Sequence, residues 1–253
     1  MKRFLLGTVG LIALGMAAPA VAADLPARTY TKAAPVVAPI YDWSGFYVGV
    51  NGGYGTSHKC FDNAGFVGAL LAVPVRDNCG DATGGLVGGH VGYNWQAGSW
   101  VFGLEAQGDW ANLSGSAPST LLLGISGRAR IDGIGLFTGR IGYAWNNVLL
   151  YVKGGAAVVA DRYDAYFTGT GVNVATASET RWGGAVGAGV EFGFSPNWTV
   201  GVEYNHLFLD NHNVTFAAPI IAPLQPVQRI YQDADLVTAR VSYRFGGPVV
   251  ARY

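Results

Sequence analysis

A chain of 253 residues with a formal charge of zero has no basic excess to bind nucleic acid, and its length suits one domain or one barrel. Charged residues make up 13%, about half the usual share of a water-soluble domain, while aromatics also reach 13% and glycine 38 residues. This composition argues against an ordinary water-exposed surface, and glycine plus proline stay below the level of a low-complexity chain.

Residues 1–23 have the three parts of a secretory signal. Lys2 and Arg3 precede an apolar stretch over 4–18, and Ala20-Val21-Ala22 offers a small-residue cleavage site. The uncharged run 4–23 could also just span a bilayer as an anchor, but Pro19 beside the small residues favours cleavage. Residues 24–42 read as a periplasmic linker, because Pro26, Pro35 and Pro39 break both helices and strand ladders.

From Trp43 onward the pattern has period two. Phe46, Val48, Val50 and Tyr54 share one face of an extended segment. Seven further segments follow at about 84–96, 99–112, 129–146, 148–160, 181–195, 198–210 and 235–245. Their oily rows include Val87/Val91/Tyr93/Trp95, Trp100/Phe102/Leu104/Trp110 and Phe137/Ile141/Tyr143/Trp145. Further on come Leu150/Val152/Val158, Val186/Val190/Phe192/Phe194, Trp198/Val200/Val202/Tyr204 and Val237/Val241/Tyr243/Phe245. The opposite rows hold the acids Glu105, Asp109, Asp132, Glu191 and Glu203 with the bases Arg140, Lys153, Arg240 and Arg244.

Periodicity alone does not say which face points inward; the aromatic positions do. Trp43, Trp95, Trp100, Trp145 and Trp198 fall beside short turns, while Trp110 and Trp182 lie toward long connections near 56–83, 113–128, 161–180 and 211–234. Aromatic rings at both ends of an oily band, with short turns on one side and long loops on the other, mark a membrane barrel. In hydrocarbon every backbone polar group must be satisfied internally, and no helical candidate follows the signal. The expected fold is therefore an all-β, eight-stranded antiparallel transmembrane β-barrel over 43–245. A C-terminal extension follows at 246–253.

The opening Tyr41-Asp42-Trp43-Ser44-Gly45-Phe46-Tyr47-Val48-Gly49-Val50-Asn51-Gly52-Gly53-Tyr54-Gly55 resembles that of the small outer-membrane β-barrels of alphaproteobacteria, the outer-membrane immunogenic or RopB-type porin-family proteins. Gly139-Arg140-Ile141-Gly142-Tyr143-Ala144-Trp145, Gly187-Ala188-Gly189-Val190-Glu191-Phe192, Pro196-Asn197-Trp198 and Glu203-Tyr204 resemble its later strands. The resemblance implies surface exposure and a largely structural role. It also implies that Tyr243 and Phe245, in an aromatic-x-aromatic ending, form the signal read by the barrel assembly machinery. Some such relatives bind haemin, which makes a surface receptor for haemin or another small ligand the first alternative.

Candidate sites are few. Cys60 and Cys79 are the only cysteines of an exported chain, so a disulfide is expected; it would stiffen a loop and contribute about 3 kcal/mol. No redox motif accompanies them. Phosphate-loop, zinc-protease and dinucleotide motifs are all missing from the sequence. His206, Asp210 and His212, near the outer rim, could serve a barrel hydrolase, but no Ser sits in a distinctive motif beside them, and His58, His206 and His212 fall on separate loops that need not meet in a metal site. The acids and bases of the inner rows should neutralise one another, since buried charge is costly unless paired. An eight-stranded bore is just wide enough to be filled by side chains. The expected protein is a non-enzymatic outer-membrane scaffold that displays loops whose partner the sequence leaves open, conducts at most through a small pore, takes no cofactor and meets membrane lipid and the assembly machinery. Its oligomeric state stays open.

Overall fold

The computed structural model describes residues 41–66, 69–119, 124–215 and 226–246. The signal at 1–23, most of the linker at 24–42 and the extension beyond Gly246 lie outside the described residues. Eight strands follow one another: β1 Gly45–Phe66, β2 Ala69–Ala97, β3 Trp100–Pro118, β4 Ile125–Trp145, β5 Val148–Phe167, β6 Asn173–Ser195, β7 Trp198–Thr215 and β8 Pro226–Phe245. Each pairs antiparallel with its neighbour, and β8 closes on β1 through a register running from Phe46↔Phe245 to Phe66↔Pro226. Closure leaves no open edge, which is the condition for a sheet to live in hydrocarbon.

The short turns lie at 98–99, 146–147 and 196–197. Gly98 and Asn146 take positive φ there, 62° and 53°, the left-handed geometry that two-residue hairpins need and that these residue types accept. By the asymmetry of outer-membrane barrels this end faces the periplasm.

At the other end the sequence-based expectation of long loops is corrected. The stretches near 56–83, 113–128, 161–180 and 211–234 are largely strand, so β2 alone reaches 29 residues. A bilayer needs only about 9–11 residues per strand, and the remainder projects as paired ribbon. The expectation failed because these segments do not alternate oily with polar as the wall below them does. Ser57 and Lys59 point into the bore and His58 points into water, so backbone pairing continues without hydrophobic alternation.

The outward row in the lower wall is apolar and exposed, as in Val50, Val87, Leu104, Phe137, Val152 and Val202. Trp95, Trp100, Trp145 and Trp198 ring its periplasmic margin, and Tyr54, Trp110 and Trp182 its outer margin. Rings of amphipathic aromatics at both margins define the membrane-spanning band. Trp43 departs from the expected girdle: it is 1% exposed and turned into the periplasmic mouth, where its Nε1 donates to the Asn146 carbonyl at 3.0 Å. With Val101, Ala144, Leu149 and Tyr151 it forms an apolar stopper, against which Tyr41 packs.

Candidate functional site

The bore of the barrel is the site that the fold builds most elaborately. Inward residues on neighbouring strands come level by ladder register, and three acids meet three bases at the height of the membrane. Arg140 Nη1 donates to Glu191 Oε1 at 2.9 Å, and its Nε donates to Asn94 Oδ1 at 2.9 Å. Lys153 Nζ reaches Glu203 at 2.6 Å and Glu105 at 3.2 Å. Arg240 binds both Glu105 and Glu203, and so clamps two carboxylates with one planar fork. Tyr47 and Tyr151 add phenolic donors, to Glu105 at 2.8 Å and to Glu203 at 2.6 Å. Every one of these charged side chains is at most 4% exposed. Charge balance with dense hydrogen bonding is what makes such burial tolerable.

Space for these large groups comes from glycine. A Cβ at Gly92 would collide with the Tyr47 phenol, and one at Gly189 with that of Tyr151. The glycine-rich pattern of the wall thus lets bulky inward side chains lie flat across the bore.

Of the nine inner-row charges expected from sequence, six form this network: Glu105, Arg140, Lys153, Glu191, Glu203 and Arg240. Asp109 is buried nearby but holds neutral partners, accepting from Asn51 Nδ2 at 2.5 Å and Gln107 Nε2 at 2.8 Å. Arg244 sits lower, at the periplasmic mouth, with its guanidinium 4.7 Å from the Tyr41 ring and Nη2 donating to the Pro196 carbonyl at 2.6 Å.

Asp132 is not in the bore. The ladder pairs Ile131 with Asp161 and Gly133 with Ala160, so Asp132 is an extra residue bulged out of register. Its carboxylate lies outside the wall, 3.4 Å from Arg162 and half exposed. Strict alternation carried through a bulge assigns the wrong face to every residue beyond it.

Above the network the bore changes character. Leu113, Ile131, Leu136, Val159, Leu207 and Leu236 are completely buried and pack into one apolar layer across the interior. Beyond them lies a second polar storey, where Lys59 Nζ pairs with Asp161 at 2.6 Å and Arg181 donates to Gln232 at 3.0 Å. This storey lies past the outer girdle, and burial pushes the Lys59 ammonium below its ordinary range while Asp161 opposes the shift. Parity along β1 and β5 would have revealed Tyr47 and Tyr151. Lys59 and Asp161 went unseen because they fall in segments read as loops.

The remaining candidates are peripheral. Cys60 and Cys79 are register partners across β1 and β2 and are joined by a disulfide. His206 lies on the outward row, 2.7 Å from Asp235, which also accepts from the Tyr204 hydroxyl at 2.5 Å. Asp210 is exposed, and the side chain of His212 is outside the described set. His206 therefore faces away from the bore. Tyr243 and Phe245 meet edge to face at a centroid distance of 5.0 Å near the periplasmic margin, where Phe245 is exposed.

Comparison with known proteins agrees with this architecture. A family model described as an outer membrane protein beta-barrel domain matches residues 9–245. The 31 kDa outer-membrane immunogenic protein of Brucella melitensis is 31% identical over 232 residues, covering 85% of this chain and 90% of that protein. The 22 kDa outer membrane protein of Rhizobium leguminosarum bv. viciae is 31% identical over 174 residues, covering 67% of this chain and 66% of that protein. Among solved structures, the outer membrane protease OmpT from Escherichia coli superposes with a TM-score of 0.55 at 10% identity, covering 79% of this chain and 97% of that one. The outer membrane protein OprG from Pseudomonas aeruginosa gives 0.50 at 11% identity, covering 81% and 97%. At such identities these two structures share the fold alone.

Proposed function

This chain belongs to the outer membrane protein β-barrel family, and from that premise we propose that it is a non-enzymatic scaffold with a sealed bore. The wall resides in the outer membrane. Its projecting hairpins present a surface to the exterior, and its interior passes at most small ions. One observation carries the reading: the ion-pair network is stacked directly beneath a fully buried apolar layer, which leaves a solute no continuous polar path. A diffusion channel needs a hydrated lumen, and barrels of eight strands are narrow enough for side chains to fill.

The reading extends to biogenesis. The Tyr243-Arg244-Phe245 ending, with Phe245 exposed, supports recognition of β8 by the assembly machinery. Replacing Phe245 with Ala should then reduce the folded fraction in outer membranes while leaving folding into detergent intact.

Permeability is the decisive test. Unmutated protein in a planar bilayer should give only rare, small conductance steps, and liposomes carrying it should not take up sugar-sized solutes. Arg140→Ala removes the closest cation from Glu191, leaving it Arg240 Nε at 3.7 Å, and should admit water and increase the conductance. Large, steady currents from the unmutated protein would overturn the sealed-bore reading and make this a general diffusion channel.

A further inference from the structure

The disulfide of the β1–β2 ribbon lies within a constellation that a merely structural bond does not need. His58 and Cys60 stand on the same face of β1, and their register partners Asp81 and Cys79 stand on β2. His58 Nδ1 lies 2.5 Å from Asp81 Oδ1. A carboxylate can only accept, so Nδ1 carries the hydrogen and Nε2 keeps its lone pair. That lone pair faces Cys60 Sγ at 3.6 Å. The order carboxylate, imidazole, sulfur is the arrangement that activates a cysteine by holding an imidazole in the right tautomer beside it.

We propose that this cluster is a thiol-exchange site, at which an external low-molecular-weight thiol opens the Cys60–Cys79 disulfide by attack on Cys79, with Cys60 as the leaving sulfur held by His58. Accessibility selects the sulfur, since Cys79 is exposed and Cys60 half-buried. The thiolate of the incoming thiol forms a new S–S bond to Cys79 as the Cys60–Cys79 bond breaks. Its electron pair goes to Cys60 Sγ, and the proton given up by the incoming thiol is taken by His58 Nε2 and passed to the Cys60 thiolate. The products are a mixed disulfide on Cys79 and a free thiol on Cys60, with no other oxidant or reductant involved. Stabilising the leaving thiolate accelerates exchange.

The surroundings suit the charge that His58 acquires. Asp81 flanks it on β2, and the exposed Asp233 lies opposite it on β8. Lys59, the adjacent cation on its own strand, points into the bore and pairs with Asp161. The ladder continues on both sides of the disulfide, pairing Lys59 with Gly80 and Phe61 with Asn78, so opening the bond leaves the two sulfurs facing each other. The side chains of His58 and Asp81 are more than half exposed, which places the site within reach of a soluble thiol.

The test treats the intact, folded barrel in detergent with glutathione, quenches by alkylation and maps the peptides by mass. The expected adduct is on Cys79 with alkylated Cys60, and His58→Gln should slow opening by about tenfold. An adduct chiefly on Cys60, or an unchanged rate in His58→Gln, overturns the proposal. The second measurement needs no variant. After reduction of the folded protein, iodoacetamide at about pH 6 should modify Cys60 faster than Cys79, because His58 Nε2 is placed to take the Cys60 thiol proton as the sulfur attacks. Equal rates, or a faster Cys79, would overturn it independently.

Discussion

At the height of Arg240 the bore is crossed by six charged side chains and two phenols; farther up the same strand, at Leu236, it is crossed by leucine, isoleucine, valine and alanine. The backbone on both levels is the same paired ladder, and the same inward parity continues along β5 from Lys153 to Ala157 and Val159. The difference shows that one ladder can carry opposite chemistry on two levels of its inward rows. The apolar storey lies above the ions, and the cluster around Trp43 packs below them. On the sealed-bore reading the space between is dry, so each ion pair there is stronger, and each unpaired charge more costly, than it would be in water.

The sharpest way to break this contrast is Arg240→Ala, which removes the fork shared by Glu105 and Glu203 and leaves both carboxylates to one close cation, Lys153. It should cost about 3–5 kcal/mol in denaturant-induced unfolding from lipid vesicles, and Arg240→Ala/Glu203→Ala should recover part of the loss. A cost near zero would mean that the lower storey is wet. Next in size is the wall around that storey. Val152→Lys places a cation on the lipid face and should destabilise by roughly 2–4 kcal/mol in lipid, with much less effect in a water-rich micelle. Neutrality there, with damage instead from charging Thr238 or Ser242, would mean that the barrel is inside out.

The upper storey is probed by Leu207→Ala, expected to cost about 2 kcal/mol, the low end of the range for buried leucine. Its layer is rich in alanine, so some collapse around the gap is open to it. Faster hydrogen exchange at β7 amides beside the network would show water entering through that gap. The smallest effect belongs to Asp132→Ala, which removes only a half-exposed partner of Arg162 and should change stability by less than about 0.5 kcal/mol. A loss comparable with that of Arg240→Ala would return Asp132 to the bore and contradict the bulge.

Much of the barrel was legible in alternation alone. Eight strands, the oily face and the periplasmic turns follow from residues such as Val87, Phe102, Val152 and Val241, whose parity persists wherever one face meets lipid. The six network charges were legible for the same reason, since inward parity places them without any knowledge of partners. Asp132 was misread because a bulge leaves no mark in the pattern. The outer ribbons were misread because strands wetted on the outside need no oily row. Trp43 was misread because residue type does not distinguish an interfacial ring from one folded back into the mouth.

By itself the sequence determined that this chain crosses the outer membrane as a closed antiparallel wall, because period-two hydrophobicity and the absence of a later spanning helix leave backbone polar groups no other way to be satisfied in lipid. Height was decided only by tertiary structure. Strand stagger brings Arg240 level with Glu105, from a distant strand, and Leu236 level with Leu113. It also sets His58 and Asp81 beside the Cys60–Cys79 pair. Those meetings depend on register across the ladder, a relation between strands far apart in the chain that no single strand's pattern contains.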